Sequence, residues 1–449
     1  MKPLPPSFEH WIRPQLGNEY TEFLASLEES PPVSIRVHPV KNVRSQEHQP
    51  VPWTNYGQYL PFRPVFTLDP LFHGGSYYVQ EASSMFLEQA LRQSVDLKES
   101  LNVLDLCAAP GGKSTHILSL LNRDSLLVAN ETIRSRAVVL SENLQKWGYP
   151  NSIVTNNDPA DFKKLEGFFD VVVVDAPCSG EGLFRKEPEA MDEWSPGNVQ
   201  LCAARQKRII AEVWNALRAN GTFIYCTCTY NSLENEDNLR WLAASYDVES
   251  VRLKIDPAWG IEEVETNGLF GYRFFPHKVS GEGFFIAVLR KGDTDVGAVF
   301  HGKAKKSIAT PLKKLCERLE PWIADNNEST FFQFNDLIFY TPASKAQEIE
   351  FLLQSLRILY AGTNMASVKH DKLVPDHAMA LSVELEKNSF PLAEVNLEQA
   401  LRYLRRETIH LNSSSGFTLV TYEDRAIGWV NVLPNRVNNM YPSEWRIRM

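Results

Sequence analysis

The chain has 449 residues, more than one hydrophobic core usually supports, so its length predicts roughly three domains. Hydrophobic residues make up 43% of the chain and charged residues 22%, as in ordinary globular proteins, and no apolar run approaches the ~20 residues that would cross a bilayer. The formal net charge of -9 excludes a protein that is basic over its whole surface, so binding to nucleic acid would require a local basic patch.

Residues 1–95 are rich in proline and aromatic residues. A helical pattern covers about 19–28, and the extended stretch SIRVHPV follows two prolines. The first residues, MKPLPPSFEHW, lack the basic segment and the long apolar stretch of a secretory signal. We interpret this part as a small α+β cap on the rest of the chain, and we expect a cytoplasmic protein.

From Leu101 onward, short apolar strands alternate with amphipathic helices. The strands are LNVLDL, SLLVAN, SIVTN, FDVVVVD and GTFIYCT, and the helices lie near 114–121, 134–147 and 199–217. This alternation predicts βαβ units in a doubly wound, mostly parallel α/β sheet. Four successive valines cannot alternate between core and solvent, so their strand should be buried on both faces in the middle of the sheet. GYRFFP and GEGFFIAVLR should pair antiparallel and close this unit, which spans 96–292.

Glycine and charged residues without periodicity mark a linker over 293–307. Two smaller units are predicted beyond it, over 308–387 and 388–449. The stretch 301–318 holds six Lys or Arg against one Glu, a net charge of +5. Such a run fits a solvated linker as well as it fits a basic patch for nucleic acid.

The segment VLDLCAAPGGKSTHI places a strand, a turn with Gly111 and Gly112, and a helix in succession. In an open α/β sheet, ligands bind at the carboxyl ends of the strands, so this turn predicts a nucleotide-like cofactor. The letters GKST also end a phosphate-binding P-loop. That motif needs a further glycine five positions before Gly112, where Cys107 stands, which disfavours a nucleotide hydrolase.

Acidic residues follow three successive strands of the predicted sheet. Glu131 ends the second strand, Asp158 follows the third, and Asp175 ends the fourth. Each alone is typical of a helix cap or a turn. Because the carboxyl ends of parallel strands meet at one edge, the three together predict binding of a nucleoside cofactor, with the carboxylate of Glu131 on the ribose hydroxyls.

The six cysteines show no C-x-x-C spacing, so we expect reduced thiols and no metal site. Cys178 and Cys228 follow the fourth and fifth strands, at the edge expected for the cofactor. Cys202 and Cys226 fall inside a helix and a strand and are typical of inert core thiols, and Cys316 has no evident role. A thiol at such an edge can serve as a covalent nucleophile toward a bound substrate, and Cys228 is the candidate for that role.

The motifs LDLCAAPGGKSTHI, NND, DAPCSGEGLFRKEPEA and YCTCTYNSLENED, in this order, resemble the Sun-domain group of RNA cytosine-5 methyltransferases. GLFRKEPEA, PHKVSGEGFFIAVLRK and the C-terminal tail look most like its bacterial RsmF type. The resemblance covers nearly the whole chain. It implies a Rossmann-like class I methyltransferase domain, an N-terminal RNA-contacting domain, a middle domain of RsmF type, and a β-rich PUA-like domain that binds RNA.

The resemblance also implies roles for individual residues. Cys228 is the nucleophile, Cys178 aids release of the product, and Asp175 contacts the target base as well as the cofactor. S-Adenosylmethionine is held by the loop and the three acids, that is by Cys107, Ala108, Ala109, Pro110, Gly111, Gly112, Lys113, Glu131, Asp158 and Asp175. DNA cytosine methyltransferases take their nucleophile from the proline-cysteine motif of the fourth strand, so the cysteine in TCTY favours RNA.

Several alternatives remain beside this interpretation. The expected substrate is small-subunit ribosomal RNA, and transfer RNA is the second candidate. A catalytically silent RNA-binding relative is disfavoured because both cysteines and all three acids are present. The target cytosine must be unpaired or flipped out of a helix to reach a sulfur atom. No exposed apolar heptad seam is evident, so we expect a monomer. Because no apolar run is long enough to cross a bilayer, we expect no membrane partner.

Overall fold

The computed structural model describes residues 2–41, 48–293, 311–324, 328–370, 372–411 and 413–449. Nearly all of the expected linker over 293–307 and most of the basic stretch over 301–318 lie outside the described residues.

The N-terminal unit joins short helices to an antiparallel sheet with the strand order β2-β3-β1-β4. Its elements are α1 (Pro6–Leu16), α2 (Tyr20–Glu28), β1 (Val33–Val37), β2 (Gln49–Pro50), β3 (Gly57–Leu60), α3 (Pro70–His73), β4 (Tyr77–Val79) and α4 (Leu87–Ser94). The helix expected over 19–28 is α2, and SIRVHPV forms β1. The sequence pattern missed α1, which begins at a proline because the first turn of a helix tolerates one.

The catalytic candidate is the central unit. Its elements are β5 (Asn102–Asp105), α5 (Gly112–Leu120), β6 (Leu126–Asn130), α6 (Arg134–Trp147), β7 (Ser152–Thr155), β8 (Phe169–Asp175), α7 (Ala190–Glu193), α8 (Pro196–Val213), β9 (Leu217–Thr227), α9 (Glu236–Ser245), β10 (Val248–Ser250), β11 (Glu262–Thr266), β12 (Leu269–Phe274) and β13 (Phe284–Lys291). The strands from β5 to β9 are parallel, in the order β7-β6-β5-β8-β9. This is the doubly wound, mostly parallel sheet that the sequence predicts.

Both faces of the sheet are covered. Val171 and Val173 of β8 belong to one hydrophobic core, and Val172 and Val174 belong to the core on the opposite face. The valine run is therefore buried on both faces, between β5 and β9, as expected. β12 and β13 pair antiparallel, which is also confirmed. The helix expected over 199–217 ends instead at Val213, because Leu217 already begins β9.

Two further sheets follow in the C-terminal part. Their elements are α10 (Lys313–Leu319), β14 (Ser329–Phe334), β15 (Leu337–Pro342), α11 (Ala346–Ser355), β16 (Ile358–Ala361), β17 (Thr363–Lys369), β18 (Lys372–Pro375), α12 (His377–Ala380), β19 (Leu392–Glu394), α13 (Leu397–Leu404), β20 (Gly416–Tyr422), β21 (Arg425–Leu433) and β22 (Arg436–Asn439). β14-β15-β17-β18 form one sheet and β19-β20-β21-β22 the other. β16 belongs to neither of these sheets. It pairs antiparallel with β7 and so extends the central sheet.

Candidate active site

The order of the parallel strands reverses between β5 and β8, and a crevice lies at the carboxyl ends of these two strands. The loops that follow two such strands diverge, which leaves room for a ligand. A cavity of ≈ 200 Å³ lies there, and the N-terminal unit closes its other side. Its lining includes Cys107, Ala108, Pro110, Lys113, Asp175 and Gln80. The structure therefore brings most of the glycine-rich loop together with the acid that ends β8.

The loop after β5 turns through two glycines. Gly111 has a φ of 114°, in the left-handed region that residues with a side chain rarely adopt. Gly112 begins α5, and a Cβ built on it would lie 3.4 Å from Cε1 of Tyr78. The turn thus presents the first amides of a helix close to the cavity, without side chains in the way, which suits a polar nucleoside cofactor.

Asp105, the last residue of β5, is a site residue that the sequence interpretation missed. Its side chain is fully buried, and Ser114 donates a hydrogen bond of 2.6 Å from Oγ to Oδ2. Burial raises the pKa of Asp105 to about 7. Its Oδ1 atom has no hydrogen-bond partner within the part of the chain that the structure describes. A bound cofactor with N–H or O–H donors would satisfy that acceptor, so the loop fits such a group.

Replacing Asp105 by asparagine should flatten the dependence of stability on pH. The folded carboxyl keeps its proton up to about pH 7, whereas the unfolded one releases it near 3.8, so the free energy of unfolding should fall as pH rises between these values. Asp105→Asn removes this contribution. Ser114→Ala deletes the hydrogen bond that favours the carboxylate of Asp105, so the free energy of unfolding should keep falling to a higher pH. Chemical denaturation at several pH values measures both, and parallel curves for Asp105→Asn and the unaltered protein would refute this origin of the slope.

An ion pair bridges the loop after β5 and the end of β8. Nζ of Lys113 lies 2.8 Å from Oδ2 of Asp175 and also sits 5.1 Å from the centre of the Phe284 ring. Burial opposes the charge on Lys113, but the carboxylate of Asp175 outweighs it and raises the pKa of the amine. A fixed cation and a carboxylate therefore stand together in the cavity.

Cys178 and Cys228 meet where the loops that follow β8 and β9 lie side by side. Their sulfur atoms are 3.0 Å apart, and the backbone amide of Cys228 donates to the sulfur of Cys178 at 3.3 Å. The hydrogen bond between the thiols, together with burial, raises the pKa of Cys178 well above its ordinary value. Cys178 thus holds its proton at neutral pH and shares a hydrogen bond with Cys228. The two loops bring both predicted cysteines to one point.

Two buried glutamates brace the cysteine loops, and the sequence interpretation did not identify them. Glu181 accepts hydrogen bonds from the Thr229 hydroxyl at 2.7 Å and the Tyr230 amide at 3.0 Å. Glu234 accepts one from the Ser179 amide at 2.9 Å. Each glutamate belongs to one loop and bonds to the other, so the distance between the sulfurs depends on both. A signal existed, since each acid lies within six positions of a cysteine, but acids near cysteines are usually solvated.

Glu131 and Asp158 do not line the cavity. Glu131 is buried, accepts from the Ile133 amide at 2.9 Å, and pairs with Arg136 at 3.3 Å. Asp158 is exposed and accepts from the amide of Ala160 at 3.0 Å. Both therefore make the contacts of local cap residues in this structure, and their role toward a cofactor stays a prediction.

The remaining cysteines belong to helices and a strand rather than to the two loops. Cys226 is fully buried in β9 and Cys202 is buried in α8, whereas Cys316 is half-buried in α10. Across the described ranges no group of His, Cys, Asp and Glu side chains is arranged to hold a metal ion. None of the helices within those ranges has the length and apolar character needed to span a membrane.

Three family models match the chain. The model for the 16S rRNA methyltransferase RsmB/F matches residues 92–290, which hold the central sheet and both cysteines. The model for the N-terminal domain of 16S rRNA methyltransferase RsmF matches 4–82, and the methyltransferase RsmF PUA domain matches 390–447.

Individual proteins show the same similarity. A ribosomal RNA small subunit methyltransferase F of Shewanella loihica is 31% identical over 441 residues, which cover 92% of this chain and 88% of that protein. Among solved structures, PH0851 superimposes with a TM-score of 0.59 at 24% identity over 64% of this chain and 66% of its own, and shares the fold. A methyltransferase homolog from Pyrococcus horikoshii gives a TM-score of 0.52 at 25% identity, over 64% of this chain and 100% of its own.

Proposed function

Since this chain belongs to the ribosomal RNA small subunit methyltransferase F family, we propose that it transfers a methyl group from S-adenosylmethionine to carbon 5 of a cytosine in small-subunit ribosomal RNA. The observation that carries the chemistry is the pair of thiols at the ends of β8 and β9, with sulfur atoms 3.0 Å apart. Two thiols that face one base can perform its attack and its release.

The loop from Cys107 to Lys113 and the buried Asp105 are the residues that would hold the cofactor. Bound S-adenosylmethionine supplies an electrophilic methyl group. Amides at the start of α5 would donate to its polar atoms, and the unpaired oxygen of Asp105 would accept a hydrogen bond. Glu131 is proposed for the ribose hydroxyls, and Asp158 as a further contact of the cofactor.

Cys228 begins the reaction on the target base. Its thiol gives up its proton, the resulting thiolate forms a bond to carbon 6, and the electron pair of the carbon 5–carbon 6 double bond shifts toward carbon 5 and the conjugated ring nitrogen, which makes carbon 5 nucleophilic. Asp175 would accept a hydrogen bond from the edge of the base, and its ion pair with Lys113 would hold the carboxylate in place.

Release of the product reverses the attack. Once carbon 5 carries the methyl group, its proton passes to water or another base, the electron pair of the carbon 5–hydrogen bond re-forms the double bond, and the bond between carbon 6 and sulfur breaks, which returns Cys228 as a thiolate. Cys178 contacts the sulfur of Cys228 and is therefore placed to assist this elimination. The bracing by Glu181 and Glu234 would hold the two thiols at the required separation.

Incubation of the protein with methyl-labelled S-adenosylmethionine and small-subunit ribosomal RNA from cells that lack the enzyme tests this function. We expect mass spectrometry of the digested RNA to show the label in 5-methylcytidine. Transfer RNA from the same cells is the matched control substrate. It should stay unlabelled, because the proposed enzyme is specific for ribosomal RNA. Label in N4-methylcytidine or in a ribose would refute the assigned reaction, and label in transfer RNA alone would refute the substrate.

A further inference from the structure

The sheet of the N-terminal unit has two unlike faces. Side chains alternate along a strand, so the register of the sheet assigns each to a face. Arg36 of β1 faces the central unit, where it donates hydrogen bonds to the hydroxyls of Thr115 and Ser119 on α5. Tyr59 of β3 donates to the carbonyl of Ser280 on the same side. Arg36 and Tyr59 therefore dock this face onto the catalytic unit.

The opposite face is apolar. In the register, Val33 pairs with Leu60, Ile35 with Val79, and Val37 with Tyr77, so these side chains share that face. Two cavities lie along it. The first, of ≈ 580 Å³, includes Val33, Leu60, Phe62 and Val79 in its lining. The second, of ≈ 670 Å³, includes Ile35, Leu60, Phe62, Tyr77 and Tyr422, which ends β20 in the C-terminal unit.

These cavities continue the crevice of the active site. Val79, Gln80 and Glu81 line both the catalytic cavity and the first of the two. Leu60, Pro61 and Phe62 line both the first and the second. The shared lining residues therefore place the three cavities side by side, in a series that leads from Lys113 and Asp175, along this partly covered sheet face, to Tyr422 at the end of β20. We call this surface the sheet track.

The side chains of the sheet track suit nucleotides. Phe62 is 69% exposed, and the cationic Arg63 and Lys186 are exposed beside it in the lining of the first cavity. The acids of the same lining are engaged elsewhere. Glu282 pairs with Arg185 at 2.9 Å, and Glu81 accepts amide hydrogen bonds at 2.8 and 2.9 Å. The cations thus remain available to phosphates, and an exposed aromatic ring offers a stacking surface to any base.

We propose that the sheet track binds the single-stranded RNA next to the target cytosine. One base of this RNA stacks on Phe62, and phosphates of the RNA backbone contact Arg63 and Lys186. The proposal rests on the proposed function, since an RNA whose cytosine enters the catalytic crevice must leave that crevice along one of its walls. The wall formed by Val79 to Glu81 is shared with the track. The covered volume, ≈ 580 Å³ in the first cavity alone, is ample for a nucleotide.

Phe62→Ala tests the stacking contact, and the chain offers a closely matched control. Phe334 ends β14 on another sheet and is 68% exposed, against 69% for Phe62. We expect Phe62→Ala to raise the dissociation constant for ribosomal RNA, measured by fluorescence anisotropy, by about tenfold, the scale of one lost base–aromatic stack. Phe62→Trp should bind like the unaltered protein, and Phe334→Ala should too. Affinity for S-adenosylmethionine should be equal in all four proteins. Equal RNA affinity for Phe62→Ala and Phe334→Ala would overturn the proposal.

A photoreactive benzoylphenylalanine in place of Phe62 separates this inference from the proposed function. We expect it to crosslink to nucleotides adjacent to the methylated cytosine, whereas the same group in place of Phe334 should not. Crosslinks far from that cytosine would overturn the proposal that the sheet track binds the adjacent RNA, and would not affect the proposed methylation. An RNA that crosslinks at position 62 and binds more weakly to Phe62→Ala, but carries no 5-methylcytidine, would support the track and refute the proposed reaction.

Discussion

Cys178→Ala is expected to accumulate a covalent protein–RNA adduct that survives a denaturing gel. The variant retains the sulfur of Cys228, so attack on carbon 6 and methyl transfer proceed. It lacks the thiol 3.0 Å away that assists elimination, so the bond between carbon 6 and sulfur persists. We expect a slowly migrating band with most of the variant in it after incubation with S-adenosylmethionine and RNA from cells that lack the enzyme. The unaltered protein should show little or none.

Two further variants define the origin of that band. Cys178→Ala/Cys228→Ala should form no adduct, because the attacking sulfur is gone. Cys178→Ala/Cys316→Ala is the matched control, since Cys316 is also half-buried but lies on α10, and its adduct should equal that of the single variant. An adduct in the double variant that lacks both loop cysteines would show that another group attacks the base. Absence of adduct from Cys178→Ala, with methylation of the same RNA by the unaltered protein, would contradict the role of Cys178.

Cys228→Ala should lower kcat/KM for RNA methylation by roughly 10⁴-fold or more, the scale on which loss of an enzymatic nucleophile acts. Without the sulfur, carbon 5 of the base is too weak a nucleophile to take the methyl group. The effect should fall on kcat, because the loop after β5 and the sheet track are unchanged. Steady-state methylation of ribosomal RNA, measured by transfer of a labelled methyl group, gives both constants.

Binding measurements decide whether this loss is chemical. Calorimetry should find the affinity of Cys228→Ala for S-adenosylmethionine equal to that of the unaltered protein, and thermal unfolding should be similar. Cys202→Ala removes a thiol that is more deeply buried than Cys228 and should keep nearly full activity. Retention of a tenth or more of the activity by Cys228→Ala would rule out covalent attack by this residue.

Local patterns in the sequence were sufficient for the parallel part of the central unit. The period of the apolar residues predicted the strands from β5 to β9 and the helices α5, α6 and α8, and the valine run predicted a strand covered on both faces. Parallel strands place their carboxyl ends at one edge, so the order of motifs along the chain also predicted that Cys178 and Cys228 would meet. These conclusions depend only on residue spacing and on strand polarity, which the sequence carries directly.

Other features depend on contacts between distant residues, and only the tertiary structure decided them. Burial, which no local pattern reports, gives Asp105 its unpaired oxygen and its raised pKa. The pairing of β16 with β7, about 200 positions earlier in the chain, extends the central sheet with a strand from the C-terminal part. The sheet track likewise exists because Arg36 docks one face of the N-terminal sheet, so that cavities remain along the other, partly covered face. The sequence alone determined which chemical groups this protein carries to the edge of its sheet, because strand period and polarity are local properties; packing determined their partners, their ionisation and the path that leads to them.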